Sequence, residues 1–345
     1  MLPFQSVPAN MPCKLIINAD DFGYCTDRNR GILEAFKDGA ITSATVLINA
    51  RDTSEAITIA TQHNIPIGLH LNLTEGYPVS VTSRSLTDPS SGAFLGKSGI
   101  REALLENKIN FDEVKDEIEE QIKLFVDLKG ELPTHMDGHQ HVQVLPGICG
   151  TLAECMVKYG IKKTRVPYEV VLGSSGWIDK PQFQFYQSVN KDAELAESVF
   201  RNKGINFTHG FVGMTTMGSD MTTERLKHAI QTTWQQLHQE NNDAQKFQQE
   251  YTVAQKDNPI QDDIFIELMV HVGYPSNQSN IIWSSMQNKN GVTYKNEPIR
   301  NKNDGPDEFS LSADRIHEKN ILSSKNMKEF YKDNNIEMAS FIDLI

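Results

Sequence analysis

Short apolar runs alternate with helix-period segments about seven times along this 345-residue chain, and that alternation constrains its fold more than any other feature. Runs at 14–19, 41–48, 65–73, 164–167, 205–211, 264–271 and 336–341 are too short for helices and read as strands. Segments at 26–37, 54–63, 111–128, 148–159, 192–203, 222–238 and 311–331 read as helices. The clearest is 111–128, where Val114, Ile118, Ile122 and Phe125 mark one face; Glu113, Glu117, Glu119 and Glu120 are expected on a solvated one. Strands alternating with helices call for a parallel sheet with helices packed outside it.

The chemically capable residues gather at or near the C-terminal ends of the strand-like runs. Asp20 and Asp21 follow the first; His70, His139, Arg165, His209 and His271 stand in or just after others. In a β/α barrel such ends converge on one mouth, where active sites lie. An open doubly wound sheet would scatter some of these groups, and no Gly-rich nucleotide fingerprint follows any strand. The expected architecture is therefore α/β, an irregular β/α barrel forming one domain over 1–345. Residues 239–261, rich in Gln, Asn, Asp and Lys, read as a polar insertion, 75–98 as a long lid-like loop and 287–308 as a further polar loop.

The stretch Thr134-His135-Met136-Asp137-Gly138-His139-Gln140-His141 carries three of the chain's ten histidines. Alternate side chains of extended backbone point the same way, so His135, Asp137, His139 and His141 share one face. Imidazoles and a carboxylate at that spacing suit a borderline divalent metal; a polar strand edge with hydrogen-bonded histidines is the plainer alternative. Spacing alone does not say which histidines bind. The adjacent Asp20 and Asp21 repel each other unless a cation or hydrogen bonds compensate. His70, alternating with Leu69 and Leu71, would by itself more often be structural. Arg165 reads either as an anchor for a substrate oxygen or as an ion-pair partner, and Trp177 as core or as a sugar-stacking platform.

A net charge of −12 argues against a nucleic-acid backbone or an anionic membrane as partner and favours a neutral substrate or a cationic product. Cys13, Cys25, Cys149 and Cys155 form no CxxC pair, which points to a reducing compartment. No leader-like segment opens the chain and no apolar run approaches a membrane span, so a cytoplasmic location is expected. A homo-oligomer is compatible with all of this.

Ala19-Asp20-Asp21-Phe22-Gly23, Gly68-Leu69-His70-Leu71-Asn72-Leu73-Thr74-Glu75-Gly76 and the 134–141 stretch resemble motifs of the YdjC-like carbohydrate deacetylases. Thr42-Ser43-Ala44-Thr45, Arg165-Val166-Pro167 and Glu267-Leu268-Met269-Val270-His271 resemble further segments in the family's order, spanning nearly all of the chain outside 239–261. The Gly-His-Gln-His-Val and Gly-Tyr-Pro details are similar to the animal members. The resemblance implies an irregular barrel like that of polysaccharide deacetylases and one divalent metal ion, usually magnesium. Carried over by position, it implies Asp21, His70 and His139 as metal ligands and Asp20 as the catalytic base. Family members often carry histidines where this chain has Gln140 and Gln143, and a proline where it has Val272.

On that footing the expected reaction is removal of acetyl groups from acetylated carbohydrates, N-acetylated sugars or oligosaccharides in particular. Expulsion of an amine needs a proton, for which His271 is the expected acid and His209 the second candidate. Arg165 and His209 are expected at the substrate, while His135, Asp137 or His141 would orient a ligand imidazole through its second nitrogen. Two imidazoles suit Zn2+ or Mn2+ better than Mg2+, which the resemblance puts first. The alternatives are a metal-dependent phosphohydrolase, which would hold a second ion about 3.5–4 Å away, and a catalytically inactive sugar-binding protein. Glycoside hydrolysis would need carboxylates on both sides of the scissile bond, which adjacent Asp20 and Asp21 do not supply.

Overall fold

The computed structural model describes residues 13–250, 263–276 and 312–344. Seven strands, β1 (Cys13–Phe22), β2 (Ser43–Val46), β3 (Ile67–Leu71), β4 (Met136–Gly138), β5 (Gly210–Val212), β6 (Ile264–Val270) and β7 (Ile336–Ala339), pair in parallel throughout. Their order is β4-β3-β2-β1-β6-β5, with β7 beside the first half of β1. A short segment joins the two outer strands. Met136 N–H donates to Lys163 O at 3.0 Å, and Thr164 N–H donates to Asn206 O at 2.9 Å, four residues before β5 begins. The result is the irregular β/α barrel expected from the alternation.

Outside the strands lie α1 (Thr26–Lys37), α2 (Thr53–His63), α3 (Gly96–Leu105), α4 (Phe111–Lys129), α5 (Ile148–Tyr159), α6 (Lys180–Asn202), α7 (Thr223–Glu250), α8 (Asp314–Leu322) and α9 (Lys325–Asp333). Helix α4 forms as its sequence dictates. Asn110 caps its start by accepting from Asp112 N–H, Gly130 ends it in the left-handed region, and Val114, Ile118, Ile122 and Phe125 are wholly buried. Each such side chain contributes about 1.5–3 kcal/mol of burial. The acidic face is not all solvated, however. Glu117 is fully buried and accepts from Val79 N–H, Ser80 N–H and the Ser83 hydroxyl, so it pins the 75–98 loop to the helix.

Other boundaries also moved. The expected helix at 311–331 is two, because the Ser324 side chain caps a new start by accepting from Met327 N–H. Helix α6 begins earlier than 192, capped by Asp179 with Pro181 in its first turn. The polar stretch from 239 continues α7 as far as Glu250; 251–261 and the loop at 287–308 lie outside the described residues.

Parity along the strands sorts the interior. Ile17 and Ala19 face the helices, whereas Asn18 and Asp20 face inward with Thr45, His70, Asp137, Arg165 and Glu267, all essentially inaccessible. They form a hydrogen-bonded polar stack in place of an apolar filling: Ser43 donates to Asn18 Oδ1 at 2.8 Å, and Asn18 Nδ2 donates to Thr45 Oγ1 at 3.1 Å and Asp20 Oδ1 at 3.0 Å. Buried polar groups are tolerable only when paired in this way.

Candidate active site

Strand pleating should send Asp20 and Asp21 to opposite faces. The register against β2 shifts between Ala19 and Phe22, and Asp21 adopts a φ of 66°. This bulge turns the second carboxylate back to the same side as the first. Aspartate tolerates the left-handed region better than most residues, and Gly23 follows at φ 94°. A similar departure follows β4. Gln140 and His141 both have positive φ, so alternation stops at His139 and His141 leaves the file formed by His135, Asp137 and His139.

Asp20 is gripped by Arg165, whose Nη1 donates to Oδ2 and Nη2 to Oδ1, both at 2.7 Å. The same guanidinium reaches Asp137 Oδ2 at 2.9 Å and Glu267 Oε1 at 2.7 Å. Burial alone would raise the Asp20 pKa, but Arg165 and His70 outweigh it and hold the carboxylate below its usual range. Burial pushes Glu267 up to about 7 against the same arginine. Arg165 is thus wholly buried among carboxylates, and its expected contact with substrate is replaced by a grip on Asp20.

Asp21 divides its oxygens. Oδ2 accepts from Arg28 Nη1 at 3.2 Å and Arg315 Nη2 at 3.4 Å. Oδ1 has no well-aligned donor among the described residues, although His139 Nδ1 stands 3.1 Å and His70 Nε2 3.5 Å from it. Behind these imidazoles stand two more carboxylates: Asp137 Oδ1 lies 2.7 Å from His70 Nδ1, and Glu75 Oε1 lies 3.2 Å from His139 Nε2. An orphaned buried carboxylate oxygen facing two imidazole nitrogens, each imidazole backed by a carboxylate, is a donor set that fits a divalent metal. Burial lowers the His70 pKa, but Asp137 and Asp20 outweigh it and raise the group to about 9. His139 is likewise driven above its ordinary value, Glu75 and Asp21 overcoming burial.

His271 follows β6 and places Nε2 4.0 Å from Asp20 Oδ2. Its backbone N–H donates to Glu318 Oε2 at 2.6 Å, and the other oxygen of this buried glutamate accepts from Gly218 N–H at 2.7 Å. Burial and the Arg315 charge push the His271 pKa down to about 3, so the imidazole is neutral in the resting site. Asp20, His70, His139, His141 and His271 line one cleft, walled by Phe185, Tyr186, Met217 and Met269, with Lys97 and Arg315 also contributing.

Two other expected residues are elsewhere, and a third lines the cleft in another role. His209 precedes β5 instead of ending a strand; its Nδ1 accepts from Phe265 N–H at 2.9 Å near the start of β6, at the opposite end of the barrel from the cleft. It does not line the cleft but a separate pocket with Phe207 and Phe211, and is removed from the substrate and acid assignments. His135 lies lower in the barrel, stacked 3.5 Å from the Phe341 ring, and burial pushes it to about 3; it touches neither His70 nor His139. His141 lines the cleft edge-on to Phe211, rather than backing a ligand imidazole as Asp137 does. Trp177 donates its indole N–H to Thr215 O, and Arg225 sits 4.3 Å from its ring.

Thr45, Glu75, Arg28, Arg315 and Glu318 received no site role from sequence. Glu267 carried a signal, a charge inside the otherwise apolar run 264–270. Arg315 and Glu318 carried none, since α8 is remote in sequence from every motif at the strand ends.

Known proteins resemble this chain over most of its length. The family model described as YdjC-like protein matches residues 14–333. Carbohydrate deacetylases of Mus musculus and Homo sapiens are each 36% identical over 334 residues, covering 96% of this chain and 94% and 91% of theirs. A chitooligosaccharide deacetylase of Yersinia enterocolitica is 39% identical over 135 residues, 39% of this chain and 52% of that protein. Among solved structures, one from Enterococcus faecalis V583, described as a cellobiose-phosphate cleavage protein, superposes with a TM-score of 0.62 at 22% identity, covering 96% of this chain and 98% of that one. It shares the fold. With a family model spanning nearly the whole described barrel and full-length relatives above one-third identity, the chain belongs to the YdjC-like family.

Proposed function

We propose that this protein is a metal-dependent hydrolase that removes acetyl groups from acetylated carbohydrates, N-acetylated sugars or their oligomers in particular. The observation that carries the reading is the convergence of Asp21, His70 and His139 beside an Asp20 held ionised in the same cleft. The names of the full-length relatives support the substrate class.

Asp21 Oδ1, His70 Nε2 and a His139 ring nitrogen would hold the metal. When bound, such an ion polarises a carbonyl and acidifies water. Asp20 receives the proton that the attacking water loses, and the Arg165 grip keeps it charged and oriented to do so. His271, neutral at rest, must first receive the proton it gives to the departing amine. Asp20 Oδ2, 4.0 Å from its Nε2, is the group that supplies it. Arg28 and Arg315 fix the far oxygen of Asp21, so that Oδ1 alone faces the histidines.

Two imidazoles and one carboxylate suit zinc or manganese, while the family resemblance favours magnesium. A two-metal phosphohydrolase gains no support. Among the described residues the other group with suitable spacing is Asp20, His70 and Asp137, and Arg165 already neutralises both its carboxylates. Cys13, Cys25, Cys149 and Cys155 are free and buried, which supports a reducing, cytoplasmic setting.

The test is acetate release from short N-acetylated glucosamine oligomers with Mg2+, Mn2+ or Zn2+ supplied in turn. Release should stop on chelation and fall by about 10²–10⁴-fold in Asp20→Asn. Turnover surviving both changes overturns the mechanism, and sugar binding with every metal but without acetate release points to a catalytically inactive binding protein.

A further inference from the structure

From the geometry we infer that Glu75 is a positioning residue for the metal site, holding the His139 imidazole with one chosen nitrogen toward Asp21. The inference rests on the reading of Asp21, His70 and His139 as metal ligands.

His139 is not placed by a strand. It follows β4 at the start of a turn in which Gln140 and His141 both have positive φ, so pleating does not fix its ring. An imidazole can face a metal with either nitrogen, and the partner of the other decides which. For His70 that partner is Asp137, 2.7 Å from Nδ1. For His139 it is Glu75, whose Oε1 makes an ion-pair contact 3.2 Å from Nε2 without the alignment of a hydrogen bond, while Nδ1 stands 3.1 Å from Asp21 Oδ1. The two imidazoles thus present opposite nitrogens to one carboxylate oxygen, each because a different acid stands behind it.

Glu75 is itself built to stay. Just past β3, the Asn72 side chain accepts from Thr74 N–H and Glu75 N–H and donates to Glu75 O at 2.8 Å, fixing the backbone at the glutamate. Its carboxylate accepts from Tyr24 Oη at 3.2 Å and from Gln140 Nε2 at 2.9 Å. The Gln140 contact comes from the residue after His139, so the turn carrying the ligand and the acid behind the ligand are tied together. One strand end therefore contributes twice, His70 directly and Glu75 through His139.

The experiment is calorimetric titration of metal-free protein with Mn2+ or Zn2+ alone, without substrate. Glu75→Ala should weaken metal binding about 10–100-fold. Glu75→Gln keeps the shape and one acceptor oxygen; it should recover most of that loss while leaving the metal-free melting temperature within about 2 °C of the parent. His70→Ala and His139→Ala serve as references. If both bind metal like the parent, the metal-site reading itself fails. If they lose binding while Glu75→Ala matches the parent, only the Glu75 assignment fails. Should Glu75→Ala not fold, Glu75→Leu, which fills similar volume without an acceptor oxygen, decides: about a threefold or greater loss supports the assignment, and parental affinity overturns it.

Discussion

Asp20 and Asp21 are neighbours in the chain with different electrostatic company. Asp20 is saturated by Arg165, whereas Asp21 has arginines on one oxygen and histidines on the other. In the metal-free protein His70, raised to about 9 by Asp137 and Asp20 against burial, carries a proton at neutral pH, and His139 is likewise driven above its ordinary value by Glu75 and Asp21. The sign follows. Protons compete with the metal below those raised values, so metal affinity should climb as pH rises from about 6 toward 9. At pH 7, titration in buffers of different ionisation enthalpy should show about one to two protons released per ion bound. A heat of binding independent of buffer would show the histidines unprotonated beforehand, contrary to this charge arrangement. The pair Asp20-Asp21 was legible in the sequence as a cation or hydrogen-bond site. The bulge that lets both face the same way was not, because its cause is pairing with β2, 25 residues on.

Among the elements, buried glutamates do work that helical periodicity hides. Glu117 of α4 pins residues 79–83, Glu169 accepts from Gly213 N–H and Thr215 N–H, and Glu318 of α8 joins the backbones of Gly218 and His271. Each fixes a loop at the cleft end of the barrel by satisfying N–H groups that no strand reaches. Helix α1 meets the segment after β6 by closer approach still. A Cβ on Gly31 would lie 2.4 Å from Gly273 Cα, and one on Gly273 would lie 2.7 Å from Arg28 Nε. Alanine favours a helix over glycine by about 1 kcal/mol, but backbone on both sides of this contact leaves no room to relax. Gly31→Ala should therefore cost about 1–3 kcal/mol net, read from chemical denaturation. An unchanged or raised stability would mean that α1 can shift away from the strand end.

Across the whole molecule, Arg165 is the hub of the polar interior, binding Asp20 of β1, Asp137 of β4 and Glu267 of β6. Replacing it with methionine would leave three buried carboxylates without their cation, and Arg165→Met should cost about 3–5 kcal/mol at neutral pH. In the parent the Asp20 pKa is depressed, so its contribution is present above the ordinary carboxylate range and lost as pH falls through the lowered value. In the variant, acid neutralises the stranded carboxylates. The gap in melting temperature should then narrow as pH drops toward about 5, and a gap independent of pH would assign the loss to packing. The sequence by itself determined the parallel β/α order and the strand ends that bear Asp20, His70 and His271. Those follow from local periodicity, which is written residue by residue; the face it led His135, Asp137, His139 and His141 to be expected to share is broken at His141. Only the tertiary structure decided that Arg165 faces carboxylates instead of substrate, that His209 lies at the far end, and that Glu75, Arg315 and Glu318 join the site. Those outcomes depend on register, on two departures from regular pleating and on helices distant in sequence, and no local pattern encodes where such parts meet.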